Sequence, residues 1–400
     1  MTAAIPVHQF AAKEKSPGRL PPVQVTALLA ALAAITVMLF ATYSIGIKQA
    51  LLSAIGIGLG LSLYHAAFGF TGAYRRAITE GDISGVTAQL IMLAVAMLLF
   101  APVLAQGQAF GHGVDGAIAP VSISMALGAF LFGIGMQLGG SCASGSLYAA
   151  GGGSLRTVVV LVFFCAGAFW GSLDLAWWTR LPGVGAISLS EVLGWEVALP
   201  LQLAVLVLIY GGMRLLGGQR KRTLWPAGGF SWRHLLRGPW PLLLSALLLA
   251  LFNWLTLLVA GHPWSITWAF SLWAAKAAVL VGWDPMTSGF WTGGFQQAAL
   301  ERGLLHDVTS VMNIGIILGA FLAAALAGRL VAPGRIAAGS LSAAVLGGLV
   351  MGYGARLSYG CNIGAFFSGV ASTSLHGWVW ILCALPGNYL GVRLRPLFRL

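Results

Sequence analysis

The chain has 400 residues, of which 58% are hydrophobic and only 8% charged. A soluble domain is about a quarter charged; no water-soluble core could hide this much apolar surface, which leaves a polytopic membrane protein. Lys and Arg total 22 against 10 Asp and Glu, a formal net charge of +12. These positives fall mostly in short segments between apolar runs, so they read as topology signals in a lipid bilayer, with no nucleic acid as partner.

The first 22 residues are polar, carry Lys13, Lys15 and Arg19, and read as a cytoplasmic segment. The run Val23–Ile45 is long and has no clear small-residue cleavage site, so residues 23–48 read as a retained additional helix and not as a signal peptide. Further apolar runs follow at Ala50–Phe68, Val86–Leu104, Ala117–Leu138, Val158–Trp178, Val197–Leu215, Leu242–Val259, Ile266–Val281, Val308–Ala327, Ile336–Gly352 and Trp378–Leu394, giving eleven candidates, some of them half-helices. Between Glu196 and Asp284 there is no acidic residue, while Arg220, Lys221, Arg222, Arg233 and Arg237 fall there; this is a cytoplasmic loop under the positive-inside rule. The tail with Arg393, Arg395 and Arg399 reads the same way, and Arg329 and Arg335 fit a simple count poorly.

An internal repeat organises the rest. LFGIGMQLGGSCASGSLYAAGGGS at 131–154 resembles VMGYGARLSYGCNIGAFFSGVASTS at 350–374. Cys142 falls on Cys361, Gly133 on Gly352, Gly135 on Gly354 and Gly145 on Gly364, all at one constant spacing. Upstream, Phe70-Thr71-Gly72-Ala73-Tyr74 resembles Trp291-Thr292-Gly293-Gly294-Phe295 at nearly the same separation. The expected organisation is a first repeat at 49–180, linking helices with the basic loop at 181–263, and a second repeat at 264–400. The fold class is therefore an all-α polytopic membrane protein, two repeated halves of transmembrane and broken or re-entrant helices around a central path. Whether the halves are inverted or parallel stays open at this stage.

The glycine clusters at both cysteines should interrupt the helix, and interrupted backbone at membrane depth survives only when it is buried in protein or lines a polar path. After each cysteine a helix can restart, Ala143–Ala150 and Asn362–Gly369. A helix start offers unpaired N–H groups and a positive dipole end, and two facing starts make an anion site. The thiol adds a weak donor and a polarisable atom suited to a soft anion. The candidate site is thus Cys142 and Cys361 with Gly140, Ser141, Gly145, Gly360, Asn362 and Gly364, joined by Arg356 and by Gln137 at the equivalent place. Charge at membrane depth is functional by default; the competing reading of Arg356, as of Lys276, is a snorkelling side chain. Arg75 and Arg76 read either as an anion-gathering entrance or as ordinary loop residues, and Asp174 as facing an aqueous end. Cys165 and Cys383 lie in plain apolar runs and read as small hydrophobes. Four cysteines without CxxC and seven scattered histidines give no metal spacing, so neither metal nor cofactor is expected. No HExxH, Walker loop or G-x-S-x-G supports an enzyme.

GGSCASGSLYAAGGG around Cys142, GYGARLSYGCNIGAFF around Cys361 and GFTGAYR at Gly69–Arg75 resemble the YeeE/YedE family of bacterial inner-membrane permeases for thiosulfate and related sulfur compounds. The resemblance covers both repeats, about two thirds of the chain. It implies a helical permease whose central cysteines, here Cys142 and Cys361, relay thiosulfate through S–H···S contacts. It also implies a further cysteine where this chain has Gly69, so a three-thiol relay would lack one step, and the helix before the first repeat looks like an addition to shorter members. The expected function is uptake of thiosulfate or a related sulfur-containing anion across the bacterial inner membrane, with the N-terminus cytoplasmic. The alternatives are a membrane thiol-disulfide oxidoreductase and a membrane partner of a soluble sulfur carrier. The family often works beside small sulfurtransferase-like proteins, so such a partner at the cytoplasmic face is also implied.

Overall fold

A computed structural model describes residues 21–226, 230–331 and 334–400; the segment expected to be a cytoplasmic N-terminal arm lies almost wholly outside the described residues. The described chain is mostly helical, with almost no sheet. The first part runs α1 (Val25–Ile45), α2 (Ile47–His65), α3 (Phe70–Glu80), α4 (Ser84–Gln106), α5 (Ile123–Gly139), α6 (Ala143–Gly151), α7 (Leu155–Leu173) and the short α8 (Leu175–Trp178). Then come α9 (Leu189–Leu193), α10 (Trp195–Leu215), α11 (Trp232–Arg237) and α12 (Leu242–Ala260). The last part runs α13 (Thr267–Leu280), α14 (Gly294–Glu301), α15 (Val308–Ala327), α16 (Ala338–Leu357), a π-helical segment Asn362–Phe367 that continues into α17 (Ser368–Ala371), and α18 (Leu375–Leu394). Two small antiparallel ribbons, Gln108–Ala109 with His112–Gly113 and Pro120–Ser122 with Gly183–Ala186, sit on the loops.

Each of the eleven apolar runs contains a helix. Among the described residues nine stretches are long and apolar enough to cross a membrane. The two runs that fall short are α13, with 14 residues, and α18, whose apolar character is diluted by His376, Asn388 and Arg393.

Hydrogen bonds between loops fix which helix ends share a side. On one side the start of α1 meets the end of α15, through Gln24 N–H to the Ala325 carbonyl and Leu330 N–H to Gln24 Oε1. The basic loop joins this side, since Trp240 N–H reaches the His65 carbonyl at the end of α2 and Ile83 N–H reaches the Gln219 carbonyl. Arg329, which fits a simple loop count poorly, sits here, its carbonyl accepting from Tyr64 Oη. On the other side Lys48 Nζ donates to the Ala260 carbonyl and Gln49 Nε2 to the His306 carbonyl, bringing together the starts of α2 and α15 and the end of α12.

Glycines make the close packing possible, because lipid supplies no hydrophobic drive between helices and small residues let backbones touch. Gly56 and Gly60 of α2 face Gly315 and Gly319 of α15; a Cβ on Gly56 would lie 2.6 Å from the Met312 carbonyl oxygen. At the centre α5 and α16 cross antiparallel, Gly128 against Gly354 and Gly135 against Met351. α7 packs on α16 through Gly348 and Gly352, and α18 packs on α5 through Gly387 and Gly133. Phe132, Phe164, Phe270 and Trp380 fill the core between these helices, with ring centroids 4.8–6.3 Å apart.

Candidate functional site

Both glycine-rich motifs break their helix at corresponding residues. α5 ends at Gly140, whose φ of +80° is the left-handed conformation that glycine adopts freely. Its counterpart at the end of α16 is Tyr359, whose φ of +57° repeats that turn with a bulky side chain. Each ragged helix end is held by a basic side chain from the helix that follows. Arg156 of α7 donates to the Leu138 carbonyl at 2.8 Å and also to that of Gly139. His376 of α18 lies with Nε2 3.0 Å from the Ser358 carbonyl.

The chain then restarts from each cysteine. Cys142, with extended backbone, precedes α6, and its Sγ lies 3.4 Å from Ser144 Oγ. Cys361 precedes the π-helical turn, and its Sγ accepts from the Ile363 N–H at 3.4 Å. The wide turn is closed by Phe366 N–H to the Cys361 carbonyl at 3.2 Å. Both thiols are 1% exposed and neither is in a disulfide. α6 leads to the basic side, where Val331 N–H meets the Gly152 carbonyl; α17 leads to the opposite side, where Ala117 N–H meets Ser372 Oγ.

A cavity of about 80 Å³ opens beside Cys142 on the basic side. Gly69, Thr71, Gly140, Ser141 and Gly145 line it together with Arg75, Arg76, Arg222 and Tyr148. Gly145 lies against the thiol, where a Cβ would lie 3.1 Å from Ser141 Cβ and 3.5 Å from Cys142 Sγ. Asp82, 2% exposed, organises this mouth: its carboxylate lies 3.6 Å from Arg76 Nε and 3.8 Å from Arg222 Nε, and it accepts from Ser84 N–H, Ser84 Oγ and Lys221 N–H. Burial raises the Asp82 carboxyl, but the Ser84 and Lys221 hydrogen bonds and Arg76 outweigh it and hold it below its ordinary value. Arg75 and Arg76 thus take the entrance position, and Arg222 arrives from the loop between the halves, where no local pattern marks it.

A second cavity of about 290 Å³ lies on the opposite side, lined by Ser265, Thr267, Ser271, Gln296, Tyr359 and Arg356. The Arg356 guanidinium stacks 4.6 Å over Phe290, and its Nε has no hydrogen-bond partner. Gly364 adjoins Ser265 on this wall, and a Cβ on Gly360 would collide with the Ala365 backbone nitrogen. Asn362, directly after Cys361, is fully buried, and neither of its side-chain polar atoms has a well-formed hydrogen bond.

Gln137 shares a register with Arg356 but serves a different purpose. Its Nε2 donates to the Thr71 carbonyl at 3.2 Å and to Asn388 Oδ1 at 2.8 Å, tying α5 to α3 and α18. It lines neither cavity. Lys276 donates to the carbonyls of Leu300 and Arg302 in the α14 loop, and Asp174 accepts from Tyr353 Oη. Cys165 and Cys383 pack against the core from its edge.

Two broken helices thus restart at buried thiols in a helical membrane bundle, with one cavity beside Cys142 and a second lined by Arg356 and Tyr359. The chain belongs to the Sulphur transport family, whose pattern matches residues 65–390. It is similar to a protein named thiosulfate transporter TsuA from Spirochaeta thermophila, 25% identical over 360 residues, covering 84% of this chain and 95% of that one. It is also similar to the probable transporter YedE of Escherichia coli (31% identical over 144 residues) and of Salmonella typhimurium (32%). These two alignments cover 36% of this chain and 35% of each YedE, so the chain matches about a third of the length of those relatives. The family's description and the relatives' names alike speak of transport.

Proposed function

We propose that this chain takes up thiosulfate, or a related sulfur-containing anion, across the bacterial inner membrane along a path that passes Cys142 and Cys361. The observation that carries this reading is the pair of buried thiols, each where a broken helix restarts and each near an arginine-bearing cavity. Helix starts attract anions, and a neutral thiol between them holds a soft anion weakly enough to release it, as conduction requires. The name of the TsuA relative supports thiosulfate in particular. Burial of both thiols favours relay over exchange with an external dithiol, because reactive cysteines need access.

The contacts also support two inverted halves, 49–180 and 264–400. α5 and α16 cross antiparallel, α6 and α17 lead to opposite sides, and the counterpart helices α7 and α18 run oppositely beside them. The side with Arg75, Arg222 and Arg329 is the cytoplasmic one by the positive-inside rule, which puts the start of α1 there as well. Arg356 then stands at the periplasmic entrance. A sulfurtransferase-like carrier would meet the exposed Arg220 and Lys221 at the cytoplasmic exit.

The test is uptake of labelled thiosulfate into proteoliposomes. Cys142→Ala/Cys361→Ala should lower the initial rate at least about tenfold, the loss expected when one donor to a charged ligand is removed, with folded protein retained. Wild-type rates in that variant remove the thiols from the mechanism.

A further inference from the structure

We infer that Tyr74 and Asn362 bind the oxygen end of the transported anion between the two thiols. This rests on the functional proposal above. Tyr74, 5% exposed, stands on α3 within electrostatic reach of Cys142, and its hydroxyl faces the Asn362 side chain. Asn362 follows Cys361 directly and is fully buried. Two helices from different halves thus bring a phenol and an amide together, the amide directly after Cys361.

Tyr74 and Asn362 face each other without a well-formed hydrogen bond. Tyr74 Oη, Asn362 Nδ2, Asn362 Oδ1 and, one turn before Tyr74, Thr71 Oγ1 are all buried without a hydrogen-bond partner. A buried polar atom left unpaired costs stability comparable to a lost hydrogen bond, and native structures retain few. In the opposite repeat the residue matching Tyr74 is Phe295, and the residue matching Asn362 is Ala143. Phe295 is largely exposed and packs on Trp268, so the buried polar pair is particular to this side, and it costs stability unless a ligand completes it.

The chemistry defines that ligand. The phenol and the amide donate O–H and N–H to anionic oxygens without contributing a fixed charge. The thiols present polarisable sulfur to a soft terminal atom. Together they fit a small anion with sulfonate-type oxygens at one end and a terminal sulfur at the other. Sulfate lacks the soft end, and the site should discriminate against it.

The experiment compares Tyr74→Phe, Asn362→Leu and Asn362→Ser with wild type, in uptake of labelled thiosulfate and in thermal stability with and without thiosulfate. Tyr74→Phe and Asn362→Leu should each raise KM about tenfold, the loss of one hydrogen bond to a charged ligand, and Asn362→Ser, which keeps a donor, should raise it less. Removing an unpaired hydroxyl should leave ligand-free Tyr74→Phe as stable as wild type or more so, while the stabilisation by thiosulfate shrinks. Sulfate in excess should compete poorly with thiosulfate in wild type. KM values within twofold of wild type, or a Tyr74→Phe protein that is less stable yet keeps the full thiosulfate shift, would overturn the inference. A wild type that takes up no thiosulfate sinks the functional proposal instead, so the two failures are distinct.

Discussion

Replacing Asp82 by Asn keeps the shape of the side chain and removes its charge. The carboxylate accepts three hydrogen bonds, at 2.6 Å from Ser84 Oγ, 3.0 Å from Ser84 N–H and 3.3 Å from Lys221 N–H, and it neutralises Arg76 and Arg222. A hydrogen bond to an ionised acceptor is worth about 1.5–3 kcal/mol, against about 1 kcal/mol for a neutral one. An asparagine keeps one acceptor oxygen and leaves two guanidinium groups without their counter-charge. The net cost is about 2–4 kcal/mol, near the lower end of the range for breaking a buried ion pair. The loss should appear as a lower thermal midpoint of the detergent-purified variant at neutral pH. The carboxyl is held below its ordinary value in the folded chain, so its contribution is present above about pH 3.9, where an unfolded Asp ionises, and fades as the pH falls through the folded value. The gap between wild type and Asp82→Asn should therefore be constant from about pH 5 upward and narrow below about pH 4. Equal midpoints at neutral pH, or a gap indifferent to acid, would refute this account of the basic mouth.

Two further outcomes follow from backbone geometry. Gly56→Leu sets a Cβ 2.6 Å from the Met312 carbonyl oxygen, so α2 and α15 must separate, at a cost of at least about 1–3 kcal/mol of overpacking; yield and thermal midpoint report it, and a variant as stable as wild type would mean the two helices are not packed this closely. Gly69→Cys has room, because Gly69 is extended (φ −148°, ψ 136°) and a Cβ there makes only a 3.4 Å contact with Tyr148 Oη. The variant should keep wild-type stability within about 0.5 kcal/mol, react with thiol reagents applied from the side of Arg75, and raise thiosulfate uptake; unchanged uptake with a reactive thiol would count against a relay step at that position.

The sequence by itself determined the class, the helices and the two breaks. Eleven apolar runs became helices because, in a bilayer, each backbone must satisfy its own hydrogen bonds within the segment. The breaks at Cys142 and Cys361 were legible because glycine clusters weaken helices locally, and repetition in a constant register marked both as one design. The tertiary structure alone decided what those elements meet. Gln137 and Arg356 occupy the same register, yet one is absorbed by the Thr71 carbonyl and Asn388 while the other faces a cavity over Phe290. Arg222 reaches Asp82 from the loop between the halves, and Tyr74 of the first repeat reaches Asn362 of the second. Such meetings leave no local periodicity, because they depend on which small-residue seams bring helices into contact. The physical division is between hydrogen bonds satisfied within a segment, which sequence pattern records, and contacts between distant segments, which only packing creates.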